Sequence, residues 1–118
     1  MKEPHEESHE HLQHIREAIT NIEKYVRGES AESFCEKDIL HDAVLMQFII
    51  IGEAIVHVET GILNRYDYPW YKVRSFRHMI AHEYFNIKLI AVWEIIENEM
   101  AGLKEMIDNI LMNAFLRP

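Results

Sequence analysis

A guanidinium at Arg77, an imidazole at His82 and a phenol at Tyr84 fall within eight residues in the stretch Arg74-Ser75-Phe76-Arg77-His78-Met79-Ile80-Ala81-His82-Glu83-Tyr84-Phe85. A side chain that titrates near neutrality can move protons, and a permanent planar cation can neutralise charge building on phosphorus oxygens. The set suits metal-free cleavage of an RNA phosphodiester. A plainer reading stands beside it: an arginine and a histidine at a helix end can satisfy carbonyls or pair with carboxylates. The spacing alone does not separate the two.

Charge singles out the same stretch. The chain carries 12 Lys and Arg against 20 Asp and Glu, a net charge of -8, which taken globally argues against nucleic-acid binding. Residues 1–64 hold five basic and 13 acidic side chains, and residues 89–118 hold two and five. Residues 65–88 invert the balance, with Arg65, Lys72, Arg74, Arg77 and Lys88 against Asp67 and Glu83. Aromatic side chains crowd the same segment. If the protein meets an anion such as RNA, it does so here, with Arg65, Lys72 and Arg74 as contacts to its backbone.

Other patterns read as architecture. His5-Glu6-Glu7-Ser8-His9 has the H-E-x-x-H spacing of zinc hydrolases, yet it lies beside Pro4 ahead of any apolar residue that could enclose a metal. Residues 1–11 are therefore expected to be a solvated His/Glu-rich segment, and neither metal nor cofactor is assigned. With His11 and His14 nearby, incidental metal binding during purification is in character. His57, one turn after Glu53, reads as a satisfied internal histidine, and Gly52 as a close helix crossing. The single cysteine, Cys35, cannot form an intrachain disulfide.

The elements that must position these groups are helical. Leu12, Ile15, Ile19, Ile22 and Val26 advance by threes and fours, predicting a helix over about 6–27 capped by Gly28. Ser33 with Glu36, or Asp38, opens a second long helix that runs to about Glu59. Between Ala43 and Val58 its clearly polar residues are Gln47, Glu53 and His57, so it is apolar nearly all round and must be covered on more than one face. Part of that cover is expected from a second copy of the chain, giving a homodimer. With Pro69 as an early helical residue, the segment from about Trp70 to Glu83 reads as a third helix, and Leu89 to nearly the chain end as a fourth, capped by Asn86. Positions 77 and 82 lie about 140° apart on a regular helix, so they do not share a face. A working site then needs either a loosened helix end or side chains from two chains.

At 118 residues and 14.1 kDa the chain has room for a single domain, spanning 1–118. Its longest apolar run, Leu89–Trp93, is far short of the roughly 18 residues that cross a membrane, so a cytoplasmic, non-membrane protein is expected. No strand pattern or repeat interrupts the helices. The fold class is all-α, a four- to five-helix up-down bundle.

The sequence resembles the HEPN superfamily, and within it the HepT-like toxins of MNT/HepT toxin-antitoxin systems. Their signature is an arginine, four residues, a histidine, one residue and a tyrosine, which here is Arg77 through His82 to Tyr84. Ile51-Gly52-Glu53-Ala54, Pro69-Trp70 and Val92-Trp93-Glu94 resemble the family's flanking runs, and the likeness covers most of residues 12–110. The resemblance implies a HEPN-like dimer acting as a metal-independent endoribonuclease toxin of a type VII-like pair. His82 would be the base that takes the 2'-hydroxyl proton, and Arg77 the stabiliser of the transition state. It also implies a minimal nucleotidyltransferase antitoxin that neutralises the toxin by transferring AMP to Tyr84. Two departures stand out: His78 replaces the usual asparagine after the motif arginine, where it would be an auxiliary proton carrier or weaken the site, and Met46 stands where the family often has an arginine. They leave a rival of another class open, a non-catalytic helical dimer that serves as binding partner of a nucleotidyltransferase or nucleic acid.

Overall fold

The computed structural model describes residues 3–83 and 86–116, the side chains of residues 82 and 83 excepted. Among the described residues there are helices and no strand: α1 (Pro4–Val26), α2 (Ala31–Glu36), α3 (Asp38–Ile55), α4 (Thr60–Leu63), α5 (Trp70–Glu83) and α6 (Leu89–Asn113). Four long helices carry the all-α bundle, and α2 and α4 are short turns between them. None of these helices is long and apolar enough to cross a membrane.

The first helix starts on Pro4, whose missing N–H costs nothing there, with Glu6 and Glu7 against the positive end of the helix dipole. Its stripe buries Leu12, Ile15, Ala18, Ile19 and Ile22. Gly28 then turns the chain in the left-handed region, at φ +78°, where a Cβ would be strained. The next cap differs from the sequence expectation. Ser30, not Ser33 with Glu36, begins α2: the Ser33 N–H donates to Ser30 Oγ at 3.1 Å and the Ser30 N–H donates to Ser33 Oγ at 2.8 Å. A serine hydroxyl thus fills the role that glutamate plays in the usual reciprocal cap. Asp38 opens α3 after a break at Lys37.

Helix α3 is central, packing against α1 on one side and α5 on the other, while α6 closes over α1 and α2. Val44, Phe48, Ile51 and Ile55 are fully buried or nearly so, and Phe48 meets Phe76 of α5 edge to face at 5.1 Å. Trp93 of α6 lies over Phe34 of α2 at 5.3 Å. Arg16–Asp108 and Lys104–Glu23 bridge α1 and α6 at 2.7 and 2.8 Å. The all-round apolar character of α3 leaves one side uncovered in the single chain: Ile39, Met46 and Ile50 are 88%, 54% and 36% exposed.

α3 ends at Ile55 rather than near Glu59. His57 and Val58 donate their N–H groups three residues back, to Ala54 and Ile55, which tightens and ends the helix. The Glu59 N–H instead donates to the hydroxyl of Ser8 at 3.0 Å. Within the stretch expected to be solvated, Glu3 to Glu7 are exposed, but Ser8 is fully buried at this contact. Ser8→Ala leaves that N–H without its acceptor, and the expected loss is about 1–2 kcal/mol of unfolding free energy by urea denaturation.

Candidate functional site

α5 presents two unlike faces. Trp70, Val73, Phe76 and Ile80 are buried, and the Trp70 indole N–H reaches the Leu63 and Tyr66 carbonyls at 3.1 and 3.3 Å, which fixes where the helix begins. The flank of that buried face carries Arg74, Arg77 and His78, all exposed, at the i, i+3, i+4 spacing that aligns side chains on one side of a helix. Lys72 is exposed as well, 4.0 Å from Glu99, and Arg65 is exposed in the loop before α5.

Arg77 sits at the crossing of α3 and α5. A Cβ built on Gly52 would fall 2.6 Å from the Arg77 backbone nitrogen and 2.9 Å from its Cβ, so only a glycine lets the backbones approach this closely. The next residue, Glu53, takes the Arg77 Nε in an ion pair. Its two side chains are 54% and 47% exposed, so the pair contributes at most about 1 kcal/mol to stability. Its effect is geometric: the guanidinium is held at a defined place on the surface with its other nitrogens directed away from Nε. The sequence marks Gly52 as a crossing but not Glu53 as the arginine's partner. Adjacency to Gly52 is the signal for Glu53, and it is specific only because α5 crosses there.

His82 lies in the last turn of α5, five residues beyond Arg77, but its side chain lies outside the described residues, as does all of Tyr84. The described residues therefore bring Arg77 together with Glu53, Arg74 and His78 on one exposed side.

A second cluster lies along α1. The H-E-x-x-H histidines do not converge: His5 and His9 each meet the Phe115 ring edge-on, at 4.8 and 4.7 Å, and His5 Nδ1 is 3.4 Å from Glu59. His57 is exposed in the turn after α3, not an internal histidine, because the helix has already ended. It stacks on His11 with ring centroids 4.8 Å apart and an interplanar angle of 24°. Burial, and after it the like charges of His57 and His14, hold the His11 imidazole below its ordinary pKa, against the pull of Glu7 and Glu10.

Comparison with known proteins agrees with the geometry. The ribonuclease HepT-like family model matches residues 15–110, which takes in α2 to α5 and most of α1 and α6. A Methanocaldococcus jannaschii protein named as a gamma-glutamylcyclotransferase and candidate RNase is 32% identical over 102 residues, 86% of this chain and 46% of that one. The chain thus spans about half the length of that relative. A candidate RNase of Caldanaerobacter subterraneus subsp. tengcongensis is 28% identical over 86% of this chain and 91% of its own. The probable ribonuclease HepT of Thermococcus cleftensis is 29% identical, covering 88% and 93%. No solved structure matches the chain significantly. With the family model covering four-fifths of the chain and an exposed arginine fixed at the α3–α5 crossing, the chain belongs to the ribonuclease HepT-like family.

Proposed function

We propose that the protein is a metal-independent endoribonuclease in which His82 and Arg77 carry the reaction. What supports this most is the Arg77 guanidinium, held by Glu53 on an exposed face in the basic segment of a chain of this family. In the reaction His82 takes the ribose 2'-hydroxyl proton, the freed oxygen attacks the adjacent phosphorus, and the bond to the 5' oxygen breaks. A 2',3'-cyclic phosphate and a 5'-hydroxyl result. Arg77 neutralises charge on the non-bridging oxygens as phosphorus becomes five-coordinate, and His78 returns a proton to the leaving oxygen. Arg65, Lys72 and Arg74 contact the flanking phosphates.

The active form is a homodimer. Ile39, Ala43, Met46, Ile50 and Glu53 share one side of α3 at spacings of three and four, so a second copy seated on the uncovered apolar stripe reaches the Glu53–Arg77 pair. Two Arg77 side chains then border one groove, which meets the requirement that residues 140° apart serve a single site. Regulation follows from the same place. A minimal nucleotidyltransferase, acting as antitoxin to this toxin, joins the Tyr84 phenol oxygen to the α-phosphorus of ATP, and pyrophosphate leaves. The added anion repels RNA from the cleft.

Incubation of total RNA and purified tRNA with the untagged chain in excess EDTA is expected to give products ending in cyclic phosphate. Cleavage that needs added divalent metal overturns the reading, as does tight RNA binding without turnover, the behaviour of a purely binding module. After incubation with a minimal nucleotidyltransferase and ATP, mass spectrometry is expected to find AMP on the Tyr84 peptide and cleavage to be lost. An unmodified Tyr84 rejects the regulatory half.

A further inference from the structure

Three side chains that take no part in the reaction assigned above converge on one point. Glu7 and His11 lie one turn apart on α1, His57 comes from the turn after α3, and one ligand-capable atom from each falls within 4.8 Å of the others. Glu7 Oε1 and His11 Nε2 are 3.9 Å apart. We propose that Glu7, His11 and His57 bind a transition-metal dication of the Zn2+ type, which clamps the N-terminal part of α1 to the end of α3. The site goes beyond the ribonuclease reading and does not rest on it.

The donor set names the metal. Two imidazoles and one carboxylate suit Zn2+ and its borderline neighbours, whereas Mg2+ and Ca2+ prefer all-oxygen shells and Cu+ prefers sulfur. A tetrahedral site with bonds of about 2.0–2.1 Å sets its ligand atoms about 3.3 Å apart, so the three groups must contract, and the stacked His11 and His57 rings must turn until their in-plane nitrogen lone pairs meet at one point. Glu7 and His57 are exposed and His11 partly so, which leaves their side-chain torsions free to make that adjustment.

The backbones already stand in register. Ser8, adjacent to Glu7 and fully buried, takes the N–H of Glu59, two residues after His57, at 3.0 Å, so the strip of α1 carrying Glu7 and His11 is fixed against the His57 turn. That turn follows the C-terminus of α3, the negative end of the helix dipole, which favours a cation. A cleft of roughly 280 Å³, with His14, Ile50 and Ala54 along its walls, adjoins His11 and His57 and has room for the water that completes a three-ligand site. The sequence motif that looks most like a zinc site, His5 with His9, takes no part.

The test titrates the untagged full chain with Zn2+ against a chromophoric chelator and follows thermal denaturation. A single Zn2+ per chain is expected, with Tm rising by at least about 5 °C at a hundredfold excess over Kd. His57→Ala and Glu7→Gln, both at exposed positions, should each weaken binding by more than about tenfold and remove the Tm rise. Their metal-free melting checks that they fold. His5→Ala/His9→Ala should leave both readouts as in the wild type. Wild-type Zn2+ affinity in His57→Ala, or loss of binding in the His5/His9 variant, overturns the proposal in favour of incidental binding by the N-terminal histidines.

Discussion

His82→Ala is expected to slow RNA cleavage by about 10²–10⁴-fold, the usual worth of a positioned acid–base group, and Arg77→Ala by about 10²–10³-fold. Both proteins should remain folded. The Arg77–Glu53 pair is about half exposed, so its loss alters stability by at most about 1 kcal/mol, far too little to unfold the bundle. The rate loss can therefore be assigned to chemistry. Because the two groups act on one transition state, the double variant should be scarcely slower than the worse single variant. Arg77→Lys is informative for a different reason: lysine keeps the charge but lacks the planar fork that meets two phosphate oxygens while Nε stays on Glu53, so it should recover only part of the rate. Cleavage at the wild-type rate by folded His82→Ala and Arg77→Ala proteins sinks the assignment.

Much of the fold is legible in the sequence because its helices are one-sided. The three-four spacing from Leu12 to Val26 and the run from Leu89 locate α1 and α6, and α5 falls where the sequence places its third helix, with Pro69 just ahead of it. The errors cluster where side chains compete with the backbone for hydrogen bonds. Ser30 and Ser33 cap each other, a choice that no spacing rule distinguishes from Ser33 with Glu36. The early end of α3 is accompanied by Ser8, 51 residues away, taking the N–H of Glu59. Local propensity does not contain that contact.

The candidate site divides in the same way. Arg77 is legible because charge, spacing and family resemblance all fall on one segment. Glu53 and His57 are not, because each finds its partner on another helix: Glu53 on α5 and His57 on α1. In the sequence His11 is one histidine among several near the N-terminus, and only the turn after α3 sets it apart from His5 and His9. Helical periodicity assigns a face to each residue, but which faces meet is decided by crossings such as Gly52 over Arg77.

That crossing carries the other large prediction. In a helix interior, alanine in place of glycine normally gains about 1 kcal/mol, and Gly102 of α6 should behave so, since a Cβ there meets nothing within 4 Å. At Gly52 the same methyl would stand 2.6 Å from the Arg77 nitrogen, 2.9 Å from its Cβ and 3.2 Å from its Cα. Main-chain atoms cannot swing aside as a side-chain tip can, so α5 must move away and carry Phe76 off Phe48. Overpacking of this kind costs about 1–3 kcal/mol against a propensity gain of about 1, so Gly52→Ala should lose up to about 2 kcal/mol in urea denaturation while Gly102→Ala gains. RNA cleavage should fall as well, by up to about 10²-fold, because a displacement of about 1 Å is enough to misplace a catalytic group. Should both substitutions stabilise the protein alike, the α3–α5 contact is looser than described, and with it the placement of Arg77.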